Sequence, residues 1–278
     1  MPLLKFAQIT DCHIKANKTD EFYGCLPYQN LRTVLADIAA AQTEYNGIIW
    51  TGDLVQDEVW QSYQNILDAI GEVNWQIPFY AILGNHDKPA LFERFRQSPY
   101  FSAQHLTQAN LQNSLQAEPP QNKSVIEFEH WALLLFNSYA DDLNGGGRIN
   151  EQQLEQVLSQ VNPKITHYLV VLHHHLVPFA SFIDKYSLQQ SDAFLTWFEQ
   201  NAKVKAAIHG HVHTIASGTL ANKAWFAGPA SSVQFGHADK FEITDTRAAY
   251  QQISLLENGQ VKVLAKTLVS SAEFLNDE

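Results

Sequence analysis

The sequence has little cysteine and no long apolar run, and each shortage excludes a class of protein. Its 278 residues include only Cys12 and Cys25, too few for the disulfide framework that stabilises small secreted domains. We interpret both cysteines as free thiols that are buried or half-buried. No stretch approaches the ~18 to 20 consecutive apolar residues that cross a bilayer. We therefore expect neither a disulfide-stabilised protein nor a membrane protein.

Basic residues are also scarce. The chain has 18 Lys and Arg against 29 Asp and Glu, a formal charge of −11. Binding a polyanion draws on many basic contacts, so we expect no nucleic-acid partner. A small anionic substrate stays compatible with this charge because bound cations reverse the potential locally. Residues 1–10 lack the basic region and cleavage site of a signal peptide, so we expect a cytoplasmic protein.

Short apolar runs alternate with amphipathic helical patterns along the first part of the chain. The runs are typical of strands covered on both faces, and they span 4–9, 47–50, 78–83, 168–172 and 204–208. The helical patterns span 31–42, 63–73, 154–161 and 187–198. This alternation predicts α/β layers, in which sites lie where strands end and loops begin.

After Gly210 the pattern changes to strands separated by turns. We predict strands over 224–227, 231–235, 248–255 and 261–268, with a hairpin at Asn258-Gly259. Residues 124–128 and 131–136 also resemble a hairpin. The whole pattern predicts an α/β protein in which two sheets pack together in a single domain over residues 1–278.

Side chains that can bind metals follow the ends of the first two apolar runs. Asp11 and His13 have i, i+2 spacing, which places both on one side of an extended backbone and Cys12 on the other. Asp53 follows the second run, and its two carboxylate oxygens can bridge two cations. Taken alone, each motif is also common in the caps and turns of proteins without metals.

The run Gly84-Asn85-His86-Asp87 is more specific. The amide oxygen of Asn85 is a modest neutral metal ligand, although an ordinary turn would also explain this asparagine. His86 would face away from Asn85 and be free to act as an acid. Asp87 could hold the His86 ring in one orientation or cap a helix that begins near Pro89, and the two roles can coexist.

Histidines mark the last two motifs. One strongly apolar run ends in three of them, His173, His174 and His175. Only one or two of these can face a site, and the register leaves open which. His211 and His213 repeat the i, i+2 spacing. His209 falls on the same alternation, as a residue that supports a ligand or, alternatively, as a buried histidine with its own hydrogen bonds.

Together the motifs supply carboxylates, imidazoles and a side-chain amide from five separate points. This is the donor set of two hard-to-borderline divalent metals. Eight of the 12 histidines lie within or beside the motifs, and chance placement in this order is improbable. The sequence therefore predicts a dinuclear metal site.

The order Asp-x-His, Gly-Asp, Gly-Asn-His-Asp, His-His-His, Gly-His-x-His resembles that of the calcineurin-like metallophosphoesterases. The resemblance covers about 6–235, with C-terminal strands to about 268 and a short tail. It implies a four-layer αββα sandwich, two mixed β-sheets flanked by helices. Finer features, among them 51–57 and 231–235, resemble the bacterial class III 3′,5′-cyclic-AMP phosphodiesterases. Leu176 departs from their pattern, which commonly has proline there.

Carried over by position, the resemblance implies two sets of metal ligands. One metal would take Asp11, His13, Asp53 and His213, and the other Asp53, Asn85, His173 and His211. Asp53 would bridge them. Substrate contacts are implied for His13, Asp53, Asn85, His86, His173 and His213. His86 and Asp87 are the expected catalytic residues, and His174 and His209 are expected to support the ligands.

The implied reaction is hydrolysis of 3′,5′-cyclic AMP to 5′-AMP by a hydroxide that bridges the metals, with His86 assisting departure of the 3′-oxygen. Iron with manganese is the expected pair, and zinc, cobalt and magnesium are alternatives. Another phosphodiester or nucleotide is the alternative substrate. A non-catalytic scaffold is less favoured because every ligand position is filled. The expected partner is a small cyclic nucleotide, and a homodimer is kept open.

Overall fold

The computed structural model describes residues 3–101 and 124–269. A first mixed sheet contains five strands in the order β13-β12-β1-β2-β3. Its strands are β1 (Leu4–Ile9), β2 (Gly47–Thr51), β3 (Phe79–Ile82), β12 (Ala249–Leu255) and β13 (Val261–Thr267). β1, β2 and β3 are parallel, and β12 and β13 pair antiparallel. The predicted Asn258-Gly259 hairpin joins β12 to β13, and Gly259 takes the positive φ of 85° that such a turn requires.

A second mixed sheet has the order β4-β5-β6-β7-β9-β8. Its strands are β4 (Val125–Glu127), β5 (Trp131–Leu135), β6 (His167–Val171), β7 (Val204–His209), β8 (Ala216–Leu220) and β9 (Lys223–Ala227). The four inner strands are parallel, and each edge strand pairs antiparallel with its neighbour. A separate two-stranded ribbon is formed by β10 (Gln234–Phe235) and β11 (Ile243–Asp245).

Five α-helices cover the outer faces of the two sheets in the described part of the chain. They are α1 (Pro27–Ala40), α2 (Trp60–Gly71), α3 (Pro89–Arg96), α4 (Glu151–Leu158) and α5 (Asp192–Gln200). α1 to α3 share an apolar cluster with the first sheet, and α4 and α5 share one with the second. None of the described helices is both long and apolar enough to cross a membrane.

A third apolar cluster lies between the sheets and completes the four layers. Phe6 and Ile49 contribute to it from the first sheet, and Leu169 and Ile208 contribute from the second. Because successive side chains of a strand point to opposite faces, Ala7, the neighbour of Phe6, belongs to the helix-facing cluster. The predicted αββα sandwich of two mixed sheets is therefore confirmed. That residues 1–278 form one domain stays a prediction, and its tail from residue 270 lies outside the described residues.

Two predicted elements differ from the structure because distant backbone groups compete for their hydrogen bonds. The helix predicted over 187–198 begins only at Asp192, since Gln189 N donates to Gly147 O and Gly147 N donates to Ser187 O. The strand predicted over 231–235 is reduced to β10, since Ser231 N donates to Thr10 O. β8 and β11 were not predicted, and α3 was predicted only as the helix near Pro89 that Asp87 could cap.

Both cysteines are free thiols and both are buried, as predicted. The indole Nε1 of Trp50 donates a hydrogen bond to Cys12 Sγ over 3.0 Å. Burial raises the pKa of Cys12 to about 12, so the thiol stays neutral. Cys12 is therefore a packing residue of the apolar cluster between the first sheet and its helices.

The apolar layer between the sheets should dominate stability. Leu169 is fully buried there, and we expect Leu169→Ala to lower the free energy of unfolding by about 2–5 kcal/mol, through lost burial and the cavity left behind. Leu264→Ala makes the same change on β13, where the side chain is 62% exposed, and should cost no more than about 0.5 kcal/mol. Urea unfolding followed by circular dichroism measures both, and equal losses would contradict the layer assignment.

Candidate metal centre

The candidate site lies where strands of both sheets end, and Asp53 is at its middle. Asp53 follows β2 and is 2% exposed. Its Oδ1 accepts a hydrogen bond from the backbone N of His86 over 2.8 Å. Its Oδ2 lies 3.8 Å from His13 Nε2 and 3.5 Å from His173 Nε2. One carboxylate oxygen therefore faces two imidazoles that come from different sheets.

His13 and His213 face each other with their Nε2 atoms only 3.0 Å apart. His13 Nδ1 donates to Gln56 Oε1 over 2.8 Å, and His213 Nδ1 donates to Val233 O over 2.8 Å. A neutral imidazole has one N–H, so both Nε2 atoms then present lone pairs to each other. Asp11 Oδ1 adds a negative charge 3.3 Å from His213 Nε2. This arrangement of donors is chemically satisfied by a cation between them.

A second group of candidate ligand atoms comes from the loop after β3 of the first sheet and from strand ends of the second sheet. His173 Nδ1 donates to Thr51 O over 2.7 Å, which leaves its Nε2 facing Asn85 Oδ1 at 3.0 Å. His211 Nε2 is buried without a hydrogen-bond partner. A buried polar atom without a partner is costly, and a cation bound to His211 Nε2 would remove this cost. The donor set of oxygens and imidazole nitrogens thus fits a second cation, as the sequence predicts.

Overlapping groups of three side chains place their ligand atoms within 4.8 Å of one another. The groups are Asp11, His13 and His213; Asp11, Asp53 and His173; His13, Asp53 and His86; and His173, His174 and His211. Six of the seven predicted ligands occur in these groups, and the seventh, Asn85, adjoins His173. The buried clusters of histidine and aspartate are consistent with a site for two metals.

The backbone at these positions is not extended, so that part of the prediction is wrong. Positive φ angles between 47° and 70° occur at Asp11, His13, Asp53, His211 and His213. Residues other than glycine rarely adopt this left-handed backbone conformation, and each such residue costs about 1–3 kcal/mol of conformational energy. Asp11 and His13 still reach the same site, as do His211 and His213. They do so because tight loops bend the chain there and not because the backbone is extended. Strain of this kind concentrates at functional sites.

The electrostatics of the site favour positive charge. Burial would raise the pKa of the Asp53 carboxyl, but the imidazoles of His173 and His86 hold it well below its usual range. Burial would also raise the pKa of the Asp11 carboxyl, but the imidazole of His213 outweighs burial and lowers that pKa. Burial lowers the pKa of His173, yet Asp53 and Asp11 outweigh it and raise that pKa to about 9. A metal ion bound at His173 Nε2 would replace this proton.

His86 and Asp87 are separated in their contacts, which corrects the predicted pairing. The His86 ring lies against His13, with ring centroids 5.0 Å apart. The Asp87 carboxylate instead accepts hydrogen bonds from Gly84 N at 2.9 Å and from the Tyr63 hydroxyl at 2.9 Å. The hydrogen bonds of residues 3–101 and 124–269 include none between Asp87 and the His86 ring.

Asp87 does not cap α3 either, because the residue before the helix is Lys88 and no side chain caps it. Both Asp87 oxygens also accept from Leu54 N, at 3.2 Å and 3.3 Å. These bonds join the loop after β2 to the loop after β3. Asp87 is therefore placed to shape the backbone that carries Asn85 and His86.

The other histidines of the motifs differ in position. His174 contacts the His211 ring at 4.6 Å, while its own nitrogens bond to Ser138 Oγ at 2.7 Å and Gly145 O at 3.2 Å. His175 packs against Phe179. The His209 ring packs against Phe179 and Trp225, and its Nδ1 bonds to its neighbour's carbonyl oxygen. His174 thus adjoins the candidate ligands. His209 is buried, but only its Nδ1 is hydrogen-bonded and its Nε2 has no partner, so its role stays a prediction.

The sequence did not indicate that residues such as Ser232 and Phe235 support the candidate ligands, although their segment was predicted as a strand. The segment after β9 lies beside the site. Its Ser232 Oγ donates a hydrogen bond to Asp11 O over 2.7 Å. Phe235 stacks on His213, with ring centroids 3.9 Å apart and ring planes 4° apart. On the other side Phe22 stacks on His13 at 4.7 Å. These contacts fix the orientation of two imidazoles.

The site opens into a cavity of about 510 Å³. Candidate ligands form part of its wall, and the remainder includes polar side chains and several aromatic rings. Residues that line it include Gln56, Glu58, Asn144, Lys185, Phe182 and Phe241. A small organic anion can therefore reach the buried ligand cluster from solvent.

Comparison with known proteins shows the family. The profile described as calcineurin-like phosphoesterase matches residues 4–214, most of the chain. The fold and the buried ligand clusters define a metal-dependent phosphoesterase, and the chain belongs to the calcineurin-like phosphoesterase family. The predicted family is confirmed.

Similar proteins carry a narrower description. The chain is 32% identical over 266 residues to a probable cyclic nucleotide phosphodiesterase of Colwellia psychrerythraea, covering 93% of this chain and 92% of that protein. It is 28% identical over 277 residues to the 3′,5′-cyclic adenosine monophosphate phosphodiesterase CpdA of Haemophilus influenzae, covering 98% and 93%.

Solved structures agree on the fold alone. A dimetal phosphatase from Danio rerio superposes with a TM-score of 0.59 at 14% identity, covering 97% of this chain and 100% of that one. The purple acid phosphatase PPD1 from yellow lupin gives 0.60 at 14% identity, covering 96% and 52%.

Tight packing beside the ligands should be essential for metal binding. A Cβ atom at Gly210 would overlap the Thr10 hydroxyl and the Asp11 carboxylate. We expect Gly210→Ala to weaken manganese binding by about 10–100-fold, as changes to groups that orient ligands do. Gly71→Ala is the matched control, because its Cβ would approach only the Tyr100 side chain. Calorimetric titration with Mn²⁺ measures both, and equal affinities in folded proteins would contradict the role of Gly210.

Proposed function

We propose that this metallophosphoesterase is a dinuclear phosphodiesterase that hydrolyses 3′,5′-cyclic AMP to 5′-AMP. The observation that carries the proposal is the convergence of imidazole nitrogens, from both sheets, around the ionised carboxylate of Asp53. Two relatives that match nearly the whole chain have names that include cyclic nucleotide phosphodiesterase activity. The acidic chain and the small cavity agree with a small-molecule substrate rather than a nucleic acid.

The proposed ligands keep the predicted assignment. One metal would be held by Asp11, His13, Asp53 and His213, and the other by Asp53, Asn85, His173 and His211. Mixed oxygen and nitrogen ligation without thiolate suits iron, manganese, zinc or cobalt, and we propose iron with manganese. The cytoplasmic location and the homodimer stay predictions.

Two bound cations would neutralise the phosphodiester and lower the pKa of a water molecule that attacks phosphorus. The protein's own contribution is to hold Asp53, His13 and His173 together in one buried site. We propose that the substrate phosphate contacts His13, Asp53, Asn85, His86, His173 and His213.

His86 is proposed to assist the leaving 3′-oxygen by donating a proton or a hydrogen bond. Its backbone N is fixed by Asp53 Oδ1, while its ring lines the cavity beside His13. Asp87 has a positioning role, because it holds the backbone of this loop through Gly84 and Leu54. We therefore replace the catalytic role first predicted for Asp87 with an indirect role, in which it positions the loop that carries His86.

The substrate assignment is tested by a turnover panel. We expect the manganese-loaded protein to prefer cyclic AMP over bis-p-nitrophenyl phosphate by at least about tenfold in kcat/KM, since specificity is differential binding of the transition state. Cyclic GMP and the 2′,3′-cyclic nucleotides complete the panel. Equal turnover of the model diester would contradict the cyclic-AMP assignment, and a preference for another compound would replace it.

Loss of the His86 imidazole should slow the chemical step without removing the metals. We expect His86→Ala to lower kcat by about 10²–10⁴-fold, the usual contribution of a general acid. His130→Ala, in the turn between β4 and β5, is the matched control and should keep full activity. Metal analysis accompanies the kinetics. An unchanged kcat would exclude His86 from this role, and loss of a metal would make it a ligand instead.

A further inference from the structure

We propose that Tyr23 and Phe241 form the subsite that binds the nucleobase of the substrate by stacking. This inference rests on the proposed function, because it assumes a nucleotide whose phosphate lies at the metal centre. No sequence motif indicated these two residues. They come from different loops, one between β1 and α1 and the other between β10 and β11.

The two rings are the most exposed aromatic side chains that the structure describes. Tyr23 is 55% exposed and Phe241 is 44% exposed, whereas most large aromatic rings of the described chain are buried or half-buried. A single exposed aromatic ring is ordinary. These two contact each other, with ring centroids 5.1 Å apart, and line the same cavity as the metal ligands.

Two chains of ring contacts connect this pair to the metal centre. Tyr23 contacts Phe22, which stacks on His13. Phe241 contacts Phe235, which stacks on His213. Each exposed ring is therefore two ring contacts away from an imidazole of the site. This is a suitable separation for a nucleotide, in which a ribose lies between the phosphate and the base.

The backbone presents Tyr23 at the cavity mouth in a fixed way. Phe22 N donates to Cys25 O over 2.9 Å, and Cys25 N donates to Phe22 O over 3.1 Å. Tyr23 and Gly24 form the tip of this tight turn, with φ angles of 48° and 85°. Two successive positive φ angles define a type I′ turn. A non-glycine residue pays a conformational cost there, which a role in binding would explain.

The cavity has the chemical division of a nucleotide. Its wall at the metal centre carries imidazoles, the Asp53 carboxylate and the Asn85 amide, which suit the phosphodiester through bound cations. Its rim carries apolar rings, and Phe182 extends them by contacting both Phe235 and Phe241. Stacking on aromatic rings accepts any base because every base has a π-face. The pair should therefore increase affinity for nucleotides in general and not select adenine by itself.

Equilibrium binding to the manganese-loaded protein separates base from phosphate. We expect 5′-AMP to bind more tightly than ribose 5-phosphate, which has the same phosphate and sugar but no base. Tyr23→Ala and Phe241→Ala should each weaken 5′-AMP binding by about 5- to 100-fold and leave ribose 5-phosphate unchanged. Tyr23→Phe and Phe241→Tyr keep a ring and should retain the preference. Leu264→Ala is an exposed control on β13.

Metal content and thermal unfolding confirm that each variant is folded and loaded. Equal affinities of the wild-type protein for the two ligands would overturn the subsite, and so would alanine variants that keep the preference for 5′-AMP. Equal weakening of both ligands would also overturn it, because it would show damage to the metal centre. A subsite that behaves as expected in a protein without cyclic-AMP turnover would support this inference while contradicting the proposed function.

Discussion

The structure depends on holding groups together that repel one another. The Nε2 atoms of His13 and His213 face each other, and the carboxylates of Asp11 and Asp53 lie close together, in a site from which water is largely excluded. The surrounding fold offsets this cost by fixing each ring through its other nitrogen. His13, His173 and His213 each donate Nδ1–H to an oxygen supplied by a neighbouring loop or strand, so every Nε2 is left to the site.

The two-sheet architecture explains how so many ligands reach one point. Parallel strands bring their carboxyl ends to the same edge, and packing two such sheets face to face brings two edges together. The cost appears in the loops, where Asp11, Asp53 and His211 take left-handed backbone. The 228–233 segment forms hydrogen bonds with the strand-end loops instead of extending a sheet.

Most strands, the packing of two sheets and the ligand-capable motifs could be predicted from the sequence because apolar runs and ligand-capable residues are local signals. The four-layer order and the division of the ligands between two metals were implied by the family resemblance. Other features depend on distant partners. Asp87 was predicted to pair with its sequence neighbour His86, but Tyr63, from α2, and backbone groups take its oxygens. The start of α5 depends on Gly147, and the Tyr23–Phe241 contact depends on loops far apart in the chain. Periodicity carries no information on such contacts.

The origin of the ligands in both sheets has a consequence for the protein's lifetime in a cell. Asp53 and Asn85 follow strands of one sheet, whereas His173 and His211 follow strands of the other. A cation shared by these ligands would hold the two sheets together. Any ligand that binds only the folded chain shifts the unfolding equilibrium toward the folded state. Metal starvation would then shorten survival against proteases as well as silence the enzyme, so the supply of metal would set its abundance.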